Sequence, residues 1–396
     1  MWVLTPERDA GAVELSVVMP CLNEADTLET CIRKAQRAMQ EHGIVGEVIV
    51  ADNGSTDGSQ AITLRTGARL VDVPRRGYGN ALMGGIAAAR GRFVIMGDAD
   101  DSYDFLEIPR IVAKLREGFD LVQGCRLPSG GGQVMPGAMP FLHRWLGNPT
   151  LSFMVRRWFH ARSIHDVYCG LRGFSKALYD RLNLRCTGME FATEMIIKAS
   201  LFRERVAEVP ITLHPDGRKS HPPHLKTFRD GWRTLRFFLM YSPRWLFLIP
   251  GAGLVLLGVI GYVLAMPATT WRGVTFDAHT LLVASLAILC GYQTILFAIF
   301  TKTFAVNEGL MPEDRYYTGF YKLMNLERGL AASALALLIG LALLLAAVNQ
   351  WRLTGFGRLE YAQTMRLVVP GVTLTALGFQ TVISSFFVSI LGMKRK

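Results

Sequence analysis

Phe93-Val94-Ile95-Met96-Gly97-Asp98-Ala99-Asp100-Asp101 is the stretch on which the fold of this chain turns. Its first four residues form an apolar run of strand length. Three carboxylates in four positions follow at once on a tight turn. Such charges repel one another unless a cation stands among them. A hard divalent ion, Mg²⁺ or Mn²⁺, prefers oxygen ligands and accepts pyrophosphate oxygens beside carboxylates. A solvated acidic turn or a helix N-cap is the plainer reading, since Asp is common at helix starts.

Working outward, residues 15–20 form another short apolar run, ended by the turn Pro20-Cys21-Leu22-Asn23-Glu24. Residues 25–41 place Leu28, Ile32, Ala35 and Met39 at helical spacing. Residues 47–51 read as a second strand, Asp52-Asn53-Gly54-Ser55-Thr56-Asp57 as a turn cluster, 58–66 as a helix and 69–73 as a further strand. This alternation predicts an α/β domain with a parallel sheet covered by helices. Ligands of such sheets gather beyond the carboxyl ends of the strands, where both acidic turns fall. A carboxylate at Asp52 suits a base ring N–H, and the helix that follows opens toward phosphate. In Arg75-Arg76-Gly77-Tyr78-Gly79-Asn80-Ala81 the glycines admit close backbone approach and the arginines pair with phosphate oxygens. Downstream, residues 119–122 read as a strand leading through a Gly-Cys turn to Arg126, which is expected to project from the ligand edge.

The composition divides the chain. Of 396 residues, 50% are hydrophobic and only 19% charged, against about 25% charged in a soluble domain. The deficit falls in residues 245–266, 279–300, 329–348 and 367–391, which carry no Asp, Glu, Lys or Arg. Each reaches the roughly 20 residues that a spanning helix needs. A wholly soluble enzyme, a disordered chain and a small disulfide scaffold are excluded. The expected organisation is a soluble-type domain over 1–223, an amphipathic juxtamembrane helix over 224–244 and a membrane domain over 245–396. Lys302, Arg315, Lys322, Arg328 and the tail Lys394, Arg395 and Lys396 outweigh the basic residues of the opposite loops. That bias puts both termini in the cytoplasm, and the chain's start does not read as a cleaved secretory signal. In residues 224–244, Arg229, Arg233, Arg236 and Arg244 alternate with Phe228, Trp232, Phe237 and Phe238, as in a helix lying on an anionic leaflet. Tyr316, Tyr317, Phe320 and Tyr321 make residues 312–326 a second interfacial stretch. The six cysteines form no Cys-x-x-Cys pair, so neither a zinc knuckle nor a disulfide framework is indicated.

The segments Val18-Met19-Pro20-Cys21-Leu22-Asn23-Glu24, 52–57 and 98–101, in this order, resemble the family 2 glycosyltransferases with the GT-A nucleotide-sugar fold. The layout is similar to the branch that transfers one sugar to a polyprenyl phosphate, the dolichyl- and undecaprenyl-phosphate glucose or mannose synthases. The resemblance implies nucleotide-sugar contacts by Pro20, Asn23, Glu24, Asp52, Arg76, Gly77, Asp98 and Ala99. It implies catalysis by Asp98, Asp100 and Arg126, with Mg²⁺ or Mn²⁺ on Asp100 and Asp98. Gly124-Cys125-Arg126 matches a Gly-Ser-Arg segment whose Arg faces the lipid phosphate, and Arg144 and Asn148 fall in a second phosphate-binding stretch. Asp166-Val167-Tyr168-Cys169-Gly170-Leu171-Arg172 resembles an Asp-x-x-Ser-Gly-Phe-Arg segment, and residues 189–194 a following helix bearing a Glu. Arg218 and Lys219 stand where relatives carry Arg-x-x-Gly-x-Ser-Lys and complete the expected acceptor-phosphate cations. His221 and His224, beside prolines, read as structural.

The expected reaction is inverting transfer of a single sugar from a nucleotide sugar, UDP-glucose first, to a membrane polyprenyl phosphate; uridine and guanosine stay open at Asp52. A phosphate monoester is already ionised near neutral pH, so work shifts to positioning and to stabilising the departing diphosphate. No nucleic-acid partner is expected. Small-residue runs such as Ala331-Ala332-Ser333-Ala334 allow close packing between protomers, a route to a homo-oligomer. A processive polysaccharide synthase is the first rival. It typically carries Gln-x-x-Arg-Trp, whereas this chain has Phe141-Leu142-His143-Arg144-Trp145 and keeps its spans behind the catalytic part. A transporter or scaffold with a nucleotide-binding head is the second, and the charge-free spans offer it no ion relay.

Overall fold

The computed structural model describes residues 13–161, 163–218, 227–314, 318–319 and 325–393. Lys219, His221, His224, the aromatics Tyr316, Tyr317, Phe320 and Tyr321, and the basic tail Lys394, Arg395 and Lys396 lie outside the described residues. The chain divides into two units, Met1–Phe238 and Leu239–Lys396.

In the first unit, β1 (Leu15–Cys21) is buried along nearly its whole length, as a strand covered on both faces of a parallel sheet must be. It pairs in parallel with β2 (Gly46–Asp52), Cys21 standing beside Asp52. Beyond β2 lies β3 (Arg69–Asp72), and on the other side of β1 lies β4 (Phe93–Met96). The sheet continues through β5 (Leu121–Cys125), while Gln133–Val134 forms β6 in a separate small sheet. Then β7 (Arg172–Ser175) inserts between β4 and β5, antiparallel to both, and β8 (Val206–Pro210) pairs in parallel with β5. The order in this seven-stranded sheet is β3-β2-β1-β4-β7-β5-β8. Lastly, β9 (Thr212–Leu213) pairs with β6, and Leu213 bridges to Tyr103.

The helix α1 (Leu28–Glu41) buries Leu28, Cys31, Ile32, Ala35 and Met39, the three-and-four spacing of one helix face. It ends at Gly43 with φ 62°, where Ile44 N donates to Met39 O at 2.9 Å and closes a Schellman turn. Ile32 is fully buried in the main core, so Ile32→Ala costs roughly 2–5 kcal/mol. After α2 (Ser59–Arg65), α3 (Tyr78–Ala88) packs on β1 and β2, with Ala81 against Ala51 and Val73. Across the sheet, α4 (Ile108–Arg116) shares the main core with α1. Three further helices, α5 (Asn148–Phe159), α6 (Lys176–Leu182) and α7 (Glu190–Leu201), complete the layers. Last comes α8 (Thr227–Met240). It docks by Phe238 edge-on to Phe159 and by Arg233 on Glu190 at 3.1 Å, leaving Trp232 exposed.

Among the described residues the second unit has four helices long and apolar enough to cross a membrane: Arg244–Ala265, Ala278–Asn307, Leu326–Leu353 and Tyr361–Leu391. Three of them run well beyond the charge-free stretches, because a helix continues into the headgroup zone where charges are tolerated. Glycines set the approach between neighbours. A Cβ on Gly258 would stand 2.6 Å from Ala284 O, and one on Gly340 2.7 Å from Thr375 N. Close backbone contact of this kind replaces the hydrophobic drive that lipid removes. Tyr292 and Thr381 add a 2.6 Å hydroxyl pair across helices. Between the first two helices a hairpin, Thr270–Trp271 with Val274–Thr275, is exposed.

Candidate active site

The ends of β1, β2 and β4 carry the residues singled out by sequence, and a web of turn hydrogen bonds joins them. Asn23 sits at φ 60° and receives Thr56 N on Oδ1 at 2.8 Å, while its own N–H reaches Ser55 Oγ at 2.9 Å. Glu24 N and Ala25 N donate to Ser59 Oγ and Asp57 Oδ2 at 3.0 and 2.8 Å. The side chain of Asn23 is therefore a brace between two turns. Asp52 is fully buried and accepts from Gly54 N, Ser55 N and Gln60 Nε2, the last at 2.7 Å. Asn53 ties the arginine loop to this edge, giving Nδ2 to Val73 O and Arg75 O and receiving Gly77 N at 2.7 Å. Arg75 and Arg76 stand exposed just before α3, and Arg76 Nη2 would lie 3.8 Å from a Cβ on Gly54. Gly77 has φ 135°, and a Cβ there would meet Thr187 O at 2.5 Å. Only glycine fits that turn.

The acidic turn resolves its three charges in three ways. Asp101 takes φ 58° and swings away to Lys34 Nζ at 2.7 Å. Asp100 receives Ser102 N and Oγ on Oδ1, at 3.1 and 2.6 Å, and Arg218 Nη2 on Oδ2 at 3.0 Å. Asp98 accepts the Tyr78 hydroxyl on Oδ1 at 2.8 Å, and its Oδ2 lies where a Cβ on Gly170 would stand 2.6 Å away. Burial first, and the charge of Asp100 second, push the Asp98 carboxyl up to about 6. Ala99 is buried, its carbonyl receiving Thr27 Oγ1 at 2.6 Å. Pro20 lies in β1, opposite Ala51.

The structure places the cations differently from the expectation. Gly124 and Cys125 belong to β5 rather than to a turn. Arg126 consequently does not project from the edge; it is buried, with Nε on Asp166 Oδ2 at 2.7 Å and Nη2 on Oδ1 at 2.9 Å. Its Nη1 faces the Tyr103 hydroxyl at 3.4 Å, and that hydroxyl accepts Gly170 N at 2.8 Å. Glu208 on β8 receives the backbone N–H groups of His165 and Asp166 and so holds this layer in place. Arg218 grips Glu24, Asp100 and Asp216. Arg144 lies apart, in the π-turn His143–Gly147 before α5, over the Trp145 ring at 5.4 Å and sharing no hydrogen bond with the acidic turn. Asn148 donates to Met139 Sδ at 3.4 Å. Sequence reasoning missed Tyr78 and Tyr103 as partners of this site; hydroxyls on neighbouring elements carry no periodic signal.

Among the described residues no three His, Cys, Asp or Glu side chains converge as a metal cage. The donor set still suits a hard divalent cation that brings diphosphate oxygens with it. Asp98 and Asp100 supply carboxylate oxygens, and a guanidinium already stands in as the cation on Asp100.

Residues 16–182 match Glycosyl transferase family 2, and residues 299–392 match the glycosyltransferase family 2 C-terminal transmembrane region. A low-salt glycan biosynthesis hexosyltransferase, Agl6, of Haloferax volcanii is 36% identical over 96% of this chain and 90% of its own length. The chain belongs to the family 2 glycosyltransferases: a membrane protein whose GT-A-like, mostly parallel sheet domain precedes four apolar helices of spanning length. An undecaprenyl-phosphate 4-deoxy-4-formamido-L-arabinose transferase of Salmonella paratyphi B is 30% identical over 51% of this chain and 61% of its own. Glucosyl-3-phosphoglycerate synthase of Mycobacterium tuberculosis, solved with Mn²⁺, UDP and phosphoglyceric acid, is 25% identical over 57% of this chain and 76% of its own, with a TM-score of 0.44.

Proposed function

We propose that the protein transfers a single sugar, with inversion, from a nucleotide sugar to a polyprenyl phosphate held at the membrane. The observation that carries this reading is one chain with a paired-carboxylate turn at the ends of parallel strands and four helices of membrane-span length. The similarity to an undecaprenyl-phosphate sugar transferase favours a polyprenyl-phosphate acceptor. UDP-glucose is the donor we propose to try first.

Asp98 and Asp100 would hold Mg²⁺ or Mn²⁺, which supplies charge stabilisation to the departing diphosphate. Tyr78 orients Asp98, and Ser102 fixes one oxygen of Asp100, so both carboxylates are set before the donor arrives. Asp52, Asn23 and the Pro20–Glu24 turn form the nucleotide side, with Gly77, Arg75 and Arg76 over the diphosphate. The acceptor phosphate is already an anion, so it attacks without a general base and needs cations to place it. Arg144 serves that role, standing among Phe141, Trp145 and Leu146, which are exposed and suited to headgroup depth. Arg126 contributes from behind, as a buried positive charge that favours ionised Asp98. The catalytic unit and both termini lie on the cytoplasmic side, with α8 along the leaflet.

The test is purified full-length protein with UDP-glucose, undecaprenyl phosphate and Mn²⁺, followed by mass spectrometry of the lipid. One hexose per lipid is expected. A growing ladder of sugars would instead favour a processive synthase, and an unchanged lipid with every nucleotide sugar tried would remove the proposal.

A further inference from the structure

Arg218 reaches the acidic turn on a strip of backbone laid across it. His214 N donates to Ser102 O at 2.9 Å and Gly217 N to Asp100 O at 3.0 Å. A Cβ on Gly217 would meet Thr27 Cγ2 at 2.9 Å and Asp100 O at 3.5 Å, so the strip lies close against the start of α1 and the turn. The guanidinium at its end is only 10% exposed. Nη1 meets Glu24 Oε1 at 3.0 Å and Nη2 meets Asp100 Oδ2 at 3.0 Å. Asp216 holds it from behind, with Oδ1 and Oδ2 each 2.9 Å from Nε and Oδ2 2.6 Å from Nη2. Asp100 has two carboxylate oxygens; Ser102 engages one and Arg218 the other. A divalent ion coming to Asp100 Oδ2 therefore meets the positive charge of a guanidinium already on that oxygen.

We propose that Arg218 is an exchangeable counter-ion: it neutralises Asp100 and Glu24 while no donor is bound, and yields Asp100 only when cation and nucleotide diphosphate arrive together. The inference rests on the reading of Asp100 as a cation ligand. The physical reason is charge balance. A metal ion alone must displace a cation from a partly buried carboxylate and leave that guanidinium on Glu24 and Asp216. A diphosphate arriving with the metal supplies new anionic oxygens for the released guanidinium, and Arg can grip two of them. Metal and nucleotide thus bind with strong mutual coupling, and neither occupies the site well alone. Asp216, next but one in sequence, keeps the freed side chain within reach.

The experiment titrates full-length protein in detergent with MnCl₂, reading free Mn²⁺ by its electron paramagnetic resonance signal, without and then with UDP. Arg218→Gln should bind Mn²⁺ alone about five-fold or more tightly than the parent, and Mn²⁺ with UDP more weakly, so that the coupling between the two shrinks. General damage to the site would weaken both affinities, and simple removal of a repelling charge would strengthen both; either pattern overturns the proposal. Arg218→Lys keeps one positive charge but cannot bridge Glu24 and Asp100 at once, and should fall between parent and Gln variant. It decides the matter by the same criterion where the Gln variant does not fold. Asp100→Ala binding Mn²⁺ and UDP like the parent would also overturn it. No sugar and no lipid enter the titration, so failure of sugar transfer and failure of the exchange are read separately.

Discussion

Arg126 and Asp166, 40 residues apart, close on each other as a buried two-pronged ion pair, 2.7 and 2.9 Å at the two contacts. Asp166 is inaccessible to solvent and also receives Arg126 N at 3.0 Å. Removing one partner leaves the other charged and desolvated, which costs about 3–5 kcal/mol. Asp166→Asn should therefore lower the stability of the catalytic unit by about that much in denaturant unfolding followed by its tryptophans. The double variant Arg126→Met, Asp166→Leu should recover part of the loss. An Asp166→Asn protein as stable as the parent would mean that Arg126 finds another partner.

Asp100→Ala should abolish sugar transfer, by a factor of about 10³ or more if the donor diphosphate loses its cation. Thermal unfolding of the same preparation checks that the fold survives. An active variant, or full activity of the parent in saturating EDTA, contradicts metal-assisted departure.

Gly170→Ala tests whether the geometry of Asp98 matters as well as its charge. The added methyl would stand 2.6 Å from Asp98 Oδ2 and 3.0 Å from Tyr103 Cε2. Overpacking of this kind costs about 1–3 kcal/mol, and Asp98 must shift. Transfer and Mn²⁺ affinity in the presence of UDP should both drop, whereas Gly231→Ala, with open space around its Cβ, should leave both unchanged.

The raised carboxyl of Asp98 makes the site pH-sensitive in a defined direction. Its folded value is about 6 against an ordinary 3.8. The stability contributed by its proton is present below pH 3.8 and is lost as pH rises through about 6. A cation needs the ionised form. Mn²⁺ affinity should therefore fall as pH drops below about 6, by up to tenfold per unit, and Asp98→Asn should flatten that part of the profile. A parent profile flat from pH 7 to 5 would exclude Asp98 as a ligand.

Orientation is tested at the exposed hairpin. A cysteine at Thr270 should react with an impermeant maleimide in intact cells, and one near the carboxyl terminus only after lysis. The reverse pattern would separate the catalytic unit from a cytoplasmic nucleotide donor.

Local features announced themselves in the sequence because they depend on local physics. The apolar runs that became β1, β2 and β4, the buried face of α1, and the four apolar stretches each follow from spacing or length within a few residues to a few tens. So does the paired-carboxylate turn, whose mutual repulsion is visible from Asp98-Ala99-Asp100-Asp101 alone. Family motifs added the class of reaction.

What the sequence left open was which charge meets which. Asp101 belongs to Lys34, 67 positions away, Arg126 to Asp166, and Arg218 to Asp100, 118 positions away. The antiparallel strand β7 was equally hidden. Arg172-Gly173-Phe174-Ser175 has no alternating pattern, and its buried Arg172 is tolerated because its guanidinium donates to Cys169 O at 2.6 Å. The period and composition of a segment determine which face it must bury, and this much the chain states by itself. Partners of a buried charge are determined by whichever distant segment the topology brings within about 3 Å of it, and that is decided only when the sheet closes.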